Sequence, residues 1–127
     1  MQPGRVLVVD DSPTMRRNVV LALQLLARLP CVEASDGLEA LARFREGGFG
    51  LVVTNINMPG VNGLELIRAV RAADTSVPVL VISTEASPYI RARALALGAS
   101  RYLTKPVRAD EVLDAVRALL GGAEGTT

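Results

Sequence analysis

The chain alternates short, continuous apolar runs with longer segments whose apolar residues recur at helical spacing. Residues 6–9, 51–54 and 79–82 form aliphatic, β-branched runs typical of strands buried on both faces of a sheet. Residues 31–34 and 101–103 predict two weaker strands. A helical pattern follows each run, so the pattern predicts an α/β domain with a parallel sheet and helices on both faces. The pattern alone leaves the order of the strands open.

Start and stop signals define the predicted helices. Ser12 can cap the first helix and Pro13 suits its first position, while Pro88 begins the fourth helix and Gly98 ends it. We predict one domain over residues 1–120 and a flexible tail over residues 121–127. The residues expected to pack inward are, in the first helix, Met15, Val19, Ala22, Leu23 and Leu26; in the second, Leu38, Leu41 and Ala42; in the third, Leu64, Ile67 and Val70; and in the fifth, Val112, Ala115, Val116 and Leu119.

Composition excludes several classes of function. With 14 Lys and Arg against 13 Asp and Glu, the 127-residue chain has a formal net charge of +1, which argues against a dedicated binder of nucleic acid or membrane surfaces. The chain has no histidine, so histidine metal sites and Ser-His-Asp triads are excluded. The single cysteine, Cys31, lies in an apolar run and is expected to be buried. No apolar segment approaches the roughly 18 residues of a membrane span, and we expect a cytoplasmic protein.

Polar residues collect where the predicted strands end. Ligands of open α/β sheets bind at the carboxyl ends of the strands. Adjacent carboxylates without histidine or cysteine suit Mg²⁺, and an amine with hydroxyls beside such an ion suits a phosphoryl-type anion. The glycine-rich loop of nucleotide-binding proteins is absent, so we predict a Mg²⁺ and phosphate-type pocket without a nucleotide. Its residues are Asp10 and Asp11 after the first strand, Asn55 and Asn57 after the third, Ser83 at the end of the fourth, and Lys105 after the fifth.

These motifs resemble the receiver domains of two-component response regulators over residues 5–120. The resemblance rests on the segments 8–12 (VVDDS), 57–59 (NMP) and 62–66 (NGLEL), on Ser83, and on the Lys105-Pro106 pair. Thr14-Met15-Arg16-Arg17 and Glu85-Ala86 resemble in particular the stand-alone chemotaxis (CheY-like) receivers. The resemblance implies a flavodoxin-like fold with strand order 2-1-3-4-5.

The resemblance also implies a role for each residue of the pocket. In this family an aspartate at the end of the third strand accepts a phosphoryl group from a histidine kinase, and Asn55 stands at that position here. The Lys105-Pro106 peptide is expected to be cis, as in the family. The implied assignments are Asp10, Asp11, Asn55 and the Asn57 carbonyl for Mg²⁺, Lys105 and Ser83 for the phosphoryl group, and Ser83 with Tyr102 for a conformational switch.

Asn55 departs from the family in the one group that performs the chemistry. A carboxylate oxygen is an anionic nucleophile, whereas a carboxamide oxygen is neutral and weakly nucleophilic, so no acyl phosphate can form. The substitution also removes one negative charge from the metal site, to which the Asn55 oxygen is expected to be a weaker ligand. We therefore predict that this chain is not phosphorylated at position 55 and binds Mg²⁺ more weakly than a three-aspartate site.

Three accounts of the function remain open at this point. In the first, the natural protein is a phosphorylatable receiver and Asn55 is an engineered block. In the second, Asn55 is native and the domain is a pseudo-receiver that signals by protein contacts alone. In the third, the chain is a small hydrolase or nucleotide-binding enzyme of doubly wound fold, but with no histidine, Ser83 has only Lys105 as an activator.

The partners follow from the resemblance. A histidine kinase is expected near the first helix, and a protein target on the face formed by the fourth helix, the fifth strand and the fifth helix. We expect a monomer that is not an enzyme and that contacts neither nucleic acid nor membrane.

Overall fold

The five predicted strands are present and form one parallel sheet. The computed structural model describes residues 4–121 of the chain. The sheet has the order β2-β1-β3-β4-β5 with every neighbouring pair parallel, which confirms the order that the resemblance implied. The central strands are almost completely buried, which is why they read as unbroken apolar runs. The bounds are β1 Arg5–Val9, β2 Cys31–Ala34, β3 Phe49–Thr54, β4 Val79–Ser83 and β5 Arg101–Thr104.

Helices cover both faces of this sheet. Helices α1 and α5 pack together over one face, and α3 packs between α2 and α4 over the other. Because side chains alternate along a strand, Val6 and Val8 contact the first layer, whereas Leu7 and Val9 contact the second. The bounds are α1 Pro13–Ala27, α2 Gly37–Arg45, α3 Gly63–Ala73, α4 Pro88–Leu97 and α5 Ala109–Leu120.

Short polar residues fix the helix ends. The Ser12 hydroxyl accepts a hydrogen bond from the Met15 amide at 3.3 Å, which confirms the predicted cap of α1. Gly98 ends α4 with φ 124°, a conformation that suits glycine. At α3, Asn62 and Glu65 form a reciprocal capping box that was not predicted. This capping box anchors the loop that leads from β3 to α3.

The predicted inward faces of α1 and α2 are wrong at individual positions. In α1, Leu26 is 57% exposed and Val20 is buried in its place. Apolar residues surround most of α1, so periodicity alone admits a shifted stripe. In α2, Leu38 is 69% exposed and Ala42 is also exposed, while Ala40 is completely buried. The small Ala40 side chain lets this short helix lie close to the sheet.

Cys31 is half-buried in the edge strand β2, whereas the sequence predicted a buried residue. Burial, with a smaller effect from the Glu33 carboxylate, raises the pKa of the Cys31 thiol to about 11. The thiol is therefore protonated at neutral pH and a poor nucleophile.

The described residues end directly after α5. Residue 121 follows the helix, and the rest of the predicted 121–127 tail lies outside the described residues. Within residues 4–121, no helix is long and apolar enough to cross a membrane.

Candidate functional site

The carboxyl ends of the strands bring the predicted site residues to one edge of the sheet. The last residues of β1 and β3 pair with each other, and the Asn55 amide donates to the Val9 carbonyl at 3.1 Å. Asp10 and Asn55 therefore lie next to each other, directly beyond their strands. On the other side of β3, the Lys105 amide donates to the Ser83 carbonyl at 2.8 Å, which links the ends of β4 and β5.

Asp10 and Lys105 form a buried ion pair. Oδ2 of Asp10 lies 3.1 Å from Nζ of Lys105, the one lysine of the chain, and both side chains are only 9% exposed. Oδ1 of Asp10 accepts a hydrogen bond from the Ser12 amide at 2.9 Å. The Lys105-Pro106 peptide is cis, as expected. A buried carboxylate without such a partner would be costly, so this pair neutralises the Asp10 charge within the chain.

Asn55 is buried, and a backbone amide orients its carboxamide. Oδ1 of Asn55 accepts from the Ile56 amide at 2.8 Å. Nδ2 donates to the Asn57 carbonyl at 3.2 Å and lies 3.5 Å from Oδ1 of Asp11. This orientation differs from the expected one, in which the oxygen would face a metal ion. In this orientation the carboxamide oxygen is the acceptor for the Ile56 N–H group.

Ser83 and Tyr102 are both buried and both bind the backbone of Glu85. The Ser83 hydroxyl accepts from the Glu85 amide at 3.0 Å, and the Tyr102 hydroxyl donates to the Glu85 carbonyl at 2.5 Å. The guanidinium of Arg91 lies 5.7 Å from the centroid of the Tyr102 ring. Burial raises the pKa of the Tyr102 hydroxyl, which keeps it a neutral donor at physiological pH. The two predicted switch residues are therefore linked through one residue of the β4–α4 loop.

In this arrangement the donor set does not fit Mg²⁺. The ion needs a near-octahedral shell of oxygen atoms, whereas Asn55 directs its amide hydrogens toward Asp11 and Asn57, and Lys105 binds Asp10. Within residues 4–121, no three acidic or cysteine side chains are grouped closely enough to hold a metal.

Arg16 supports the site, although the sequence reasoning gave it no such role. One of its terminal nitrogens donates to the Asp10 carbonyl at 2.7 Å, and its Nε pairs with Glu33 at 2.9 Å. Arg17 binds the second oxygen of Glu33 at 2.6 Å. Burial tends to raise the pKa of Glu33, but the hydrogen bonds from both arginines hold this pKa below its ordinary value. The sequence signal for this contact was Glu33 itself, a charged residue within the otherwise apolar strand β2.

Gly63 lets the start of α3 lie directly against the end of β3. Its amide donates to the Ile56 carbonyl at 2.8 Å. A Cβ atom at this position would collide with the Asn55 carbonyl oxygen and would lie 2.7 Å from the Ile56 Cα. The sequence placed Gly63 within a motif without giving it this steric role.

The fold and the edge residues together define the class of protein. A five-stranded sheet of order 2-1-3-4-5, with two acids after β1 and a buried lysine after β5, is the architecture of a receiver-type α/β domain. Comparison with known proteins agrees. Residues 6–117 match the family described as the response regulator receiver domain, so the chain belongs to this family of two-component signalling modules.

Relatives and solved structures extend this result. The chain is 35% identical over 123 residues to the chemotaxis protein CheY of Pseudomonas aeruginosa, covering 95% of this chain and 99% of that protein. It is 38% identical over 118 residues to the transcriptional regulatory protein TrcR of Mycobacterium tuberculosis, covering 93% of this chain. The chain spans about half the length of the transcriptional regulators it matches, 52% and 46%. The structure of Vibrio cholerae chemotaxis protein CheY4 gives a TM-score of 0.87 at 34% identity, covering 94% of this chain and 100% of that chain.

Proposed function

We propose that this chain is a receiver domain that acts through protein contacts and accepts no phosphoryl group at position 55. The observation that supports this most directly is the Asn55 carboxamide at the end of β3. It has no anionic oxygen, and its one oxygen already accepts a hydrogen bond from the Ile56 amide. The fold and most of the pocket are those of a signalling receiver, whereas the nucleophile is missing. Both accounts of Asn55, engineered or native, lead to the same chemistry for this chain.

We assign to the remaining site residues the roles that the family implies for them. Asp10 and Asp11 would carry the negative charge of the pocket, and Lys105 and Ser83 would face a phosphoryl-type anion. Tyr102 and Ser83 would move together when a partner binds, because both bind the backbone of Glu85. Mg²⁺ would bind more weakly than at a three-carboxylate site, because the ion would lose one anionic ligand.

Partner binding is assigned to two surfaces. Helix α1 exposes Leu21, Leu25 and Leu26, which is consistent with a histidine kinase docking there. Helix α4 exposes Tyr89 and Leu95 beside β5 and supports the α4–β5–α5 face as the surface for a protein target. We further propose a cytoplasmic, monomeric domain over residues 1–120 that does not act as an enzyme and that binds neither nucleic acid nor membrane.

A small-molecule phosphodonor tests the chemical part of this proposal. The protein and an Asn55→Asp variant are incubated with acetyl phosphate and Mg²⁺, and intact masses are recorded. We expect the mass of the unaltered chain to stay unchanged. The mass of Asn55→Asp should increase by one phosphoryl group, which is labile as an acyl phosphate is. An Asn57→Asp variant is the matched control, since it adds the same charge two residues away, and it should remain unmodified. A phosphoryl adduct at position 55 of the unaltered chain would refute the proposal.

A further inference from the structure

We propose that the Asn55 carboxamide is an internal substitute for a cation, which joins Asp11 to the Asn57 carbonyl and closes the pocket to Mg²⁺. The inference rests on the same residue as the proposed function. It concerns metal binding, however, and is tested without a phosphodonor or a partner.

The orientation of the carboxamide follows from the Ile56 amide. The N–H group of Ile56 points at the Asn55 side chain with a donor–acceptor distance of 2.8 Å. Exchanging the two ends of the carboxamide would place its NH₂ group against this N–H group, so two donors would face each other without an acceptor. The exchange would also set the carboxamide oxygen beside the Asp11 carboxylate, oxygen against oxygen. Both changes are unfavourable, so Nδ2 faces Asp11 and Asn57.

The NH₂ group of Asn55 then has an acceptor for each of its two hydrogens. Nδ2 lies 3.2 Å from the Asn57 carbonyl oxygen and 3.5 Å from Oδ1 of Asp11. The second distance is long for a hydrogen bond, so its contribution is mainly the attraction between a partially positive NH₂ group and a carboxylate. These two oxygens are the ones that the family resemblance assigned to a metal ion. In this chain the NH₂ group sits between them.

The other acid of the pocket also has a partner within the chain. Lys105 lies 3.1 Å from Oδ2 of Asp10, and both side chains are buried. A Mg²⁺ ion bound to Asp11 and the Asn57 carbonyl would have to occupy the place that the Asn55 NH₂ group fills. An ion would therefore have to displace the Asn55 carboxamide and break its contacts.

This mechanism predicts an order of Mg²⁺ affinity that a poor-ligand explanation does not. If the Asn55 carboxamide blocks the site, Asn55→Ala frees Asp11 and Asn57, and water can complete the shell of the ion. The order of affinity is then Asp above Ala above Asn at position 55. If Asn55 instead serves as a weak oxygen ligand, the alanine variant loses that ligand. The order is then Asp above Asn above Ala.

Mg²⁺ titrations of the three proteins, followed by calorimetry and by melting temperature in MgCl₂ or EDTA, distinguish these orders. We expect Asn55→Ala to bind Mg²⁺ about five- to tenfold more tightly than the unaltered chain, because roughly two weak hydrogen bonds no longer oppose binding. MgCl₂ should raise the melting temperature of Asn55→Ala more than that of the unaltered chain. Asn57→Ala is the matched control, because it retains the backbone carbonyl and should behave as the unaltered chain. Equal or tighter binding by the unaltered chain than by Asn55→Ala overturns the proposal.

A second measurement on the unaltered chain needs no variant that could fold poorly. Nuclear magnetic resonance should show the Asn55 NH₂ protons shifted and protected in EDTA. The Ile56 amide should exchange slowly with solvent, and both signals should persist at Mg²⁺ concentrations that saturate an Asn55→Asp variant. Loss of protection at Ile56 with added Mg²⁺ would show that the ion displaces the carboxamide readily and would overturn the proposal. The phosphodonor experiment is independent of these measurements, since the closed metal site and the absent nucleophile are separate claims and either one can be refuted without the other.

Discussion

Replacing Arg16 should destabilise the domain far more than replacing its neighbour Arg17, although both arginines bind the same glutamate. Arg16 is 15% exposed, and it joins the Glu33 carboxylate to the Asp10 carbonyl at 2.9 and 2.7 Å. Arg17 is 52% exposed and contacts only the carboxylate, at 2.6 Å. The variants Arg16→Gln and Arg17→Gln therefore remove the same charge from the same helix turn but different numbers of buried contacts.

The structure gives an approximate magnitude for each change. A hydrogen bond to a charged group contributes about 1.5–3 kcal/mol and an ordinary one about 1 kcal/mol. Because Arg17 still pairs with Glu33, Arg16→Gln should cost about 2–3 kcal/mol of unfolding free energy. An exposed ion pair contributes only about 0.2–1 kcal/mol, which is the loss expected for Arg17→Gln. A positive charge near a helix N-terminus is unfavourable, and its removal helps both variants about equally.

Urea denaturation followed by circular dichroism measures the difference. At neutral pH the midpoint of Arg16→Gln should fall well below that of Arg17→Gln, and its melting temperature should fall by about 5–10 °C. The lowered pKa of Glu33 adds a second test. A glutamate with a lowered folded-state pKa stabilises the protein above its unfolded-state pKa of about 4.3, and this stabilisation is lost as the pH falls through the folded-state pKa. Equal losses in both variants, or a difference that does not narrow below about pH 4, would refute this reasoning.

Three further substitutions, of which Gly60→Ala is a control, test contacts around the site. Gly63→Ala should cost about 3 kcal/mol in urea denaturation, because the new Cβ meets backbone atoms of Asn55 and Ile56. Gly60→Ala, with φ 72° and open space around its Cβ, should cost only about 1 kcal/mol, and equal costs would contradict the steric role of Gly63. Tyr102→Phe should cost about 1 kcal/mol at neutral pH, since the Glu85 carbonyl loses its donor. The raised pKa of Tyr102 means that the unfolded chain ionises first, so the advantage of the unaltered chain should decline above about pH 10, and an advantage that persists there would contradict the assignment.

The sheet was predictable because its signals are local. Unbroken aliphatic runs identify strands that helices cover on both sides. Ser12, Pro88 and Gly98 mark helix ends because each acts on the backbone of its own helix. The strand order came from the family resemblance, since nothing in a single strand specifies its neighbour. The inward faces of α1 and α2 were less predictable. Leu26 in α1 and Ala40 in α2 are both apolar, yet Leu26 is exposed and Ala40 is buried, because packing against the sheet decides which positions are covered.

The proximity of the candidate site residues was predictable, whereas the hydrogen-bond network that joins them was not. Asp10, Asn55 and Lys105 follow strands, and parallel strands end at one edge, so their proximity followed from the topology. The direction of the Asn55 carboxamide did not follow from the topology, because the oxygen and NH₂ ends of the group are nearly equal in shape. A backbone N–H group one residue away determines that direction. The contact of Arg16 with Glu33 spans 17 residues, and periodicity contains no information about such a pairing.

The pocket has two acids, and each has a partner within the chain. Lys105 binds Asp10, and the NH₂ group of Asn55 lies between Asp11 and the Asn57 carbonyl. An aspartate at position 55 would remove that NH₂ group and add a third negative charge beside two others, so such a pocket would gain much from a cation. With asparagine at position 55, both acids already have a partner, so a cation would stabilise the pocket less. On the proposed function, a change of state at Ser83 and Tyr102 would come from contacts that a partner makes at the α4–β5–α5 face, because neither an ion nor a phosphoryl group would supply the energy.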